Sequence, residues 1–143
     1  MSNLGIKALL MFIVAFVGYM HSYWGSTMHN RPLIVGTLVG LVLGDIQTGI
    51  IVGGALELAF LGAVPIGASN PPDMTSGAVI ASSYTILTGA DTGMAVAIAI
   101  PVAALVALFD NLQMMFLLTG AGHMCDRAAE KGDAKKVERI VVA

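Results

Sequence analysis

Cysteine, aromatic residues and charge are all scarce in this chain of 143 residues, and each shortage excludes something. The single cysteine, Cys125, cannot close an internal disulfide, and no Cys/His spacing resembles a zinc site. No basic stripe with interleaved aromatics is present, which excludes a nucleic-acid surface. No Walker-type loop is present for a nucleotide, and Ser82 and Ser83 have no histidine nearby in sequence, so no nucleophile–base pair stands out. Charged residues make up 11% of the chain, against about a quarter in an average soluble domain.

What the chain has instead is hydrophobicity. Apolar residues account for 57%, and the mean hydropathy is +0.85. The little charge is also segregated. Residues 1–125 carry two basic groups, Lys7 and Arg31, against the five acids Asp45, Glu57, Asp73, Asp91 and Asp110. Residues 126–143 carry five basic groups and four acids. This pattern predicts an all-α integral membrane protein with one short solvated tail. Lys7 followed by Ala8–Met20 imitates a signal peptide, but Tyr19-Met20-His21-Ser22-Tyr23-Trp24 lacks a small-x-small cleavage site. Tyr19, Tyr23 and Trp24 read instead as an interfacial aromatic belt closing a first span over residues 6–24, about the length a spanning helix needs.

The most informative stretch lies between Arg31 and Asp73. Pro32–Gly44 would be about 20 Å long as a helix, too short for a ~30 Å hydrocarbon core. It is separated by Asp45-Ile46-Gln47-Thr48-Gly49 from a second apolar run, Ile50–Ala68, and then comes the break Ser69-Asn70-Pro71-Pro72-Asp73. Gly36, Gly40 and Gly44 recur every four residues, and Gly49 and Gly53 repeat that spacing; such rows let helix backbones approach closely in lipid. Two half-length arms around a polar joint predict a re-entrant helical hairpin over residues 32–68, with one long kinked helix as the alternative. Non-helical backbone at membrane depth is tolerated where protein or a solvated cavity surrounds it.

The rest reads as a short apolar helix over residues 76–88, a span over 94–118 kinked at Pro101, and an amphipathic segment over 123–139. The five Lys/Arg of the last place it in the cytoplasm under the positive-inside rule. An ionised group at the bilayer centre is expensive, so each acid within or beside the apolar runs needs a partner, a neutral form or a wet cavity. No Lys or Arg lies inside those runs, and hydroxyl groups of a sugar could serve. Glu57, along the glycine stripe, is the leading substrate-binding candidate; the other reading is a protonated side chain bonded to a backbone carbonyl. Ser69, Asn70 and Asp73 could read several hydroxyls, or form an Asx turn and a cap for a helix starting near Met74. Asp45 reads as a structural cap, with Gln47 and Thr48 free to reach a ligand. Asp110-Asn111 reads as a buried polar contact with another helix.

The sequence His29-Asn30-Arg31-Pro32-Leu33-Ile34, followed by Gly40-Leu41-Val42-Leu43-Gly44-Asp45-Ile46-Gln47-Thr48-Gly49-Ile50 and Gly53-Gly54-Ala55-Leu56-Glu57-Leu58, resembles the IIC component of mannose/fructose/sorbose-family sugar phosphotransferase permeases. The resemblance continues through Pro71-Pro72-Asp73, Pro101 and Cys125–Gly132, and the Asn70–Asp73 loop resembles the N-acetylgalactosamine branch. It implies a bacterial inner-membrane subunit that pairs with a IID subunit, admits a sugar, and relies on soluble IIB and IIA phosphocarriers fed by phosphoenolpyruvate, with IIC–IID units forming homo-oligomers. It implies no cofactor, no metal and no catalytic nucleophile on IIC itself, and it implies re-entrant hairpins near the sugar. Family members run to about twice this length, so the chain corresponds to their N-terminal half. A packing-only subunit and a proton-coupled carrier are the competing expectations.

Overall fold

A computed structural model describes residues 2–20, 28–63, 71–130 and 132, and among these every regular element is helical. Helix α1 spans Ser2–Tyr19, a 3₁₀ turn Met28–Asn30, α2 Pro32–Leu43, α3 Ile46–Ala59, α4 Met74–Thr88 and α5 Thr92–Glu130. The chain divides into two units, Met1–Ala107 and Leu108–Ala143.

In the first unit the organising feature is the α2–α3 pair. Pro32 opens α2 at a position where its missing N–H costs nothing. Gly44 ends the helix in the left-handed region at φ 93°, and its N–H and that of Asp45 both donate to the Gly40 carbonyl at 2.9 Å. The chain reverses at once, because Asp45 starts α3. The arms then lie with their glycines in register: a β-carbon on Gly36 would stand 2.8 Å from Cα of Gly53, and one on Gly49 would stand 2.8 Å from Cα of Gly40. Residue 36 meets 53 and residue 40 meets 49, which is the register of an antiparallel hairpin. The single kinked helix is thereby excluded. Backbones this close gain dispersion contacts that no larger residue would permit.

The hairpin buries Val35, Val39, Val52, Leu56 and Phe60 against Val14 of α1, Ala78 and Ala81 of α4, and Ala95, Ala99 and Ala103 of α5. Alanine is the large contributor from α4 and α5, so these helices also pack at short range. Helix α4 passes Gly18 of α1 at Thr75, and Gly77 lies against the Phe60 ring and the Ala99 carbonyl. The C-terminal ends of α1 and α3 and the N-terminal ends of α2 and α4 therefore meet at one end of the unit. The outer faces are as apolar as the inner ones: Leu41, Ile46, Ile50, Ile51, Leu58, Ile80 and Leu87 are all exposed. So much apolar surface suits a lipid surround and not water.

Element boundaries differ from the sequence expectation in instructive ways. Helix α1 stops at Tyr19, and positions 21–24 of the expected first span lie outside the described residues, as do positions 64–68 of the expected hairpin. Helix α4 begins at Met74 with Asp73 as its cap, as the cap reading of Asp73 expects and two residues before the apolar run over 76–88. Among the described residues only α5 contains a window, Thr92–Phe116, long and apolar enough by itself to cross a membrane; Gly5–Tyr19, Pro32–Leu43 and Ile46–Ala59 are shorter apolar helices.

The second unit holds the remainder of α5. Helix α5 runs unbroken to Glu130, through residues 119–122 that separate the expected span over 94–118 from the expected segment over 123–139. Gly120 and Gly122 each cost a helix only about 1 kcal/mol, and without a proline this does not end it. Gly132 adopts φ 68°, and positions 133–139 lie outside the described residues. Asp110 and Asn111, expected to be buried, are exposed, together with every other side chain from Leu108 to Phe116.

Candidate functional site

Four of the acids, Asp45, Glu57, Asp73 and Asp91, serve helix ends, where orphan backbone N–H groups attract carboxylates. At the closed end of the hairpin, Asp45 caps α3. Its Oδ1 accepts from the Thr48 N–H at 3.1 Å and its Oδ2 accepts from the Thr48 hydroxyl at 2.5 Å. Thr48 is thereby occupied with Asp45, while Gln47 is exposed beside it. At the start of α5, Asp91 accepts from the Met94 N–H at 3.2 Å.

The open end of the hairpin is richer. Glu57, near the end of α3, forms an ion pair with Arg31, the residue that precedes α2. Arg31 offers α2 no side-chain cap of its own. Glu57 supplies one from across the hairpin, since its Oε2 accepts from the Leu33 N–H in the first turn of α2 at a long 3.4 Å. The carboxylate thus faces both a guanidinium and the positive end of a helix.

At the same end of the unit, Asp73 caps α4 by accepting from the Ser76 N–H at 3.1 Å. The hydroxyls of Ser76 and Tyr19 also donate to Asp73 Oδ2, which joins α1 to α4. The Asp73 N–H donates to the Ala103 carbonyl at 3.1 Å, which brings in α5. Tyr19, expected to belong to an interfacial belt, uses its hydroxyl here instead. Tyr19, Arg31, Glu57, Asp73 and Ser76 are therefore gathered at one end of an otherwise apolar unit, and Asp45, Gln47 and Thr48 sit at the far end of α3. The nine residues from Thr48 to Glu57 correspond to about 13 Å of helix rise, so these two groups cannot hold one small ligand directly. Ser69 and Asn70 lie outside the described residues.

Sequence reasoning missed Arg31, Tyr19 and Ser76. A signal for Arg31 was present. Aligning the glycines as Gly36–Gly53 and Gly40–Gly49 places residue 57 opposite residue 32, next to one of only two basic groups in the first 125 residues. Tyr19 and Ser76 carried no such signal, because both depend on how α1 and α4 cross. Among the described residues no group of three His, Cys, Asp or Glu is placed to hold a metal ion.

Comparison with known proteins agrees with this picture. Residues 5–143 match the EII-Sor family, described as the PTS system sorbose-specific IIC component. The chain is 36% identical over 124 residues to a putative N-acetylgalactosamine permease IIC component 2 of Escherichia coli K12, covering 86% of this chain and 92% of that one. It is also 36% identical over 138 residues to the mannose-specific EIIC component of the same organism, and 37% identical over 137 residues to the fructose permease IIC component of Bacillus subtilis. Of those two it spans only about half, 52% and 49% of their lengths, while 96% and 93% of this chain is covered. Among solved structures, a chain of the mannose transporter ManYZ in complex with microcin E492 superposes with a TM-score of 0.75 at 36% identity, covering 96% of this chain and 55% of that one. Fold and likeness together define a IIC-type permease component whose described regular elements are all helical. The chain belongs to the sorbose-type IIC family of the sugar phosphotransferase system.

Proposed function

We propose that this chain is the sugar-binding IIC subunit of a phosphotransferase permease in a bacterial inner membrane. It binds and translocates a hexose or amino sugar that a IIB partner phosphorylates, IIB being charged by IIA. A IID subunit shares the membrane with it. Helices α1 and α5 cross the bilayer, and α2–α3 enters and leaves by the same side. The sugar binds at the open end of the hairpin. Its hydroxyls donate to the carboxylates of Glu57 and Asp73 and accept from Arg31, and Ser69 and Asn70 are further candidate ligands on the sequence alone. Gln47 and Thr48 meet the sugar, if at all, at the opposite end of its path.

The observation that supports this reading is the gathering of acidic, basic and hydroxyl side chains at one end of the unit, where Tyr19, Arg31, Glu57, Asp73 and Ser76 meet. A carboxylate accepts about four hydrogen bonds and a guanidinium donates five, more than Glu57, Asp73 and Arg31 make with the described residues. The test is reconstitution of the chain with its IID partner in vesicles supplied with IIA, IIB and phosphoenolpyruvate, measuring uptake of labelled N-acetylgalactosamine, mannose and fructose. Glu57→Gln should lower uptake while the two subunits still purify together. Uptake by that variant at the level of the unaltered chain would overturn the site.

A second reading, a membrane subunit that only packs against its partners, is favoured by one observation. Asp45, Asp73 and Glu57 each already serve a helix end within the chain. It predicts co-purification with IID and no thermal shift on adding sugar. Uptake that survives removal of phosphoenolpyruvate but collapses with the proton gradient would point to a proton-coupled carrier instead.

A further inference from the structure

Helix α5 gives the first unit a direction. Helix α4 starts at the open end of the hairpin, behind its cap Asp73, and only Gly89–Asp91 separates its last residue from α5. The two helices run antiparallel. The Asp73 N–H donates to the Ala103 carbonyl at 3.1 Å, and a β-carbon on Gly77 would stand 3.1 Å from the Ala99 carbonyl oxygen. Residue 73 therefore meets 103, and residue 77 meets 99. Helix α5 begins beside the C-terminal end of α4, passes the open end near Ala103, and leaves the unit after Ala107.

The same geometry sorts the charges. The connections Gly44–Asp45 and Gly89–Asp91 lie at the closed end, and neither contains a base. Of the seven Lys and Arg residues, only Lys7, near the start of α1, lies towards that end. Arg31 stands at the open end, paired with Glu57. The other five follow in residues 126–143, after α5 has run past the open end. Orientation in a membrane follows the Lys and Arg of short connections and of segments close to spanning helices, while acids carry little weight. Asp45 and Asp91 at the closed end do not oppose that bias.

We infer that the open end of the hairpin is the cytoplasmic mouth of this subunit, and that the Asp45–Thr48 turn faces the periplasm. This orientation rests on the proposal that α5 crosses a bacterial inner membrane. It gives the proposed sugar path a direction. A sugar arriving from outside meets the Gln47 and Thr48 end first. Once held by Arg31, Glu57 and Asp73, it stands on the side from which a soluble phosphocarrier approaches. Phosphorylation and release then need no second passage along the hairpin.

The test is cysteine accessibility in the full chain, expressed in cells with its membrane partner. In a Cys125→Ser background, single cysteines replace Gln47 and Ala90 at the closed end, Met28 at the open end and Ala129 beyond the spanning window. Gln47 and Met28 are both exposed. A membrane-impermeant maleimide should label Gln47→Cys and Ala90→Cys in right-side-out vesicles, and Met28→Cys and Ala129→Cys only in inverted ones. The reverse pattern would overturn the orientation. Ala90→Cys and Ala129→Cys reacting from one side would remove the spanning helix, and the orientation with it. Met28→Cys siding with Gln47→Cys, while Ala90 and Ala129 stay opposite, would refute the orientation and spare the spanning helix. Reaction at Gln47 and Ala90 only after detergent is added would also count against a periplasmic turn. None of these readouts uses transport, so failed uptake with the expected labelling weighs against the sugar site alone.

Discussion

Replacing Glu57 by glutamine tests how the two ends of the hairpin are held. The change keeps shape and volume and leaves an amide oxygen for the Leu33 N–H, but it removes the charge opposite Arg31. The magnitude follows from exposure. The Glu57 side chain is 20% exposed and that of Arg31 36%, so the pair is neither a surface bridge worth a few tenths of a kcal/mol nor a sealed one whose rupture costs 3–5. An intermediate loss of about 1–2 kcal/mol is expected, because solvent screens Arg31 once it is unpaired. Arg31→Met should cost a similar amount for the opposite reason, leaving Glu57 facing only the α2 N-terminus. The double variant is the informative one. If the two side chains act chiefly on each other, its loss should fall short of the sum of the single losses by about 1 kcal/mol. Thermal unfolding of the purified chain in a mild detergent, followed by loss of monodispersity, measures all three. Strictly additive losses would refute the argument that Glu57 is held by Arg31.

Three further expectations concern the frame around that pair. Gly40→Leu should separate the hairpin arms, since a β-carbon there would stand 2.7 Å from the Asp45 carbonyl oxygen; a loss of at least ~1–3 kcal/mol is expected by the same unfolding assay, against little change for Gly5→Leu in open surroundings. Asp73→Ala removes the α4 cap and the Tyr19 link together and should cost about 1–2 kcal/mol, more than Tyr19→Phe, which keeps the cap; equal losses in the two variants would assign the whole effect to Tyr19. The Ser82 and Thr85 hydroxyls are buried without a partner among the described residues, unlike Ser83 and Thr88, which bond back to Val79 and Tyr84. Ser82→Ala and Thr85→Val should therefore be neutral or stabilising by up to about 1 kcal/mol; marked destabilisation in the unfolding assay would show that these hydroxyls are satisfied in the membrane.

The hairpin was legible in the sequence because its signals are local. Pro32 starts an arm, Gly44 supplies a positive φ, Asp45 caps the return, and four glycines at four-residue spacing set the register. The extent of α5 was not, because an apolar run and a charged run read as separate elements, and the glycines between them are weak helix breakers when no proline follows. At the candidate site, each acid could be recognised as needing a partner, yet its partner could not be read off directly. Arg31 is 26 positions from Glu57, and Tyr19 is 54 from Asp73. Such pairings depend on helix crossings fixed by Gly18, Thr75 and Gly77, where packing of small residues decides the approach and composition says nothing. The resemblance to sugar permeases was carried by the same hairpin letters that build the observed turn.

The claim with most at stake is that sugar is held at the open end of the hairpin and not at its turn. Photolabelling of the chain with a diazirine-bearing hexose, in vesicles containing the partner subunit and with excess unlabelled sugar as the control, addresses it most directly. The account expects protectable label on peptides carrying Arg31, Glu57 and Asp73. Protectable label confined to the Asp45–Thr48 turn, with none near Glu57, would contradict it.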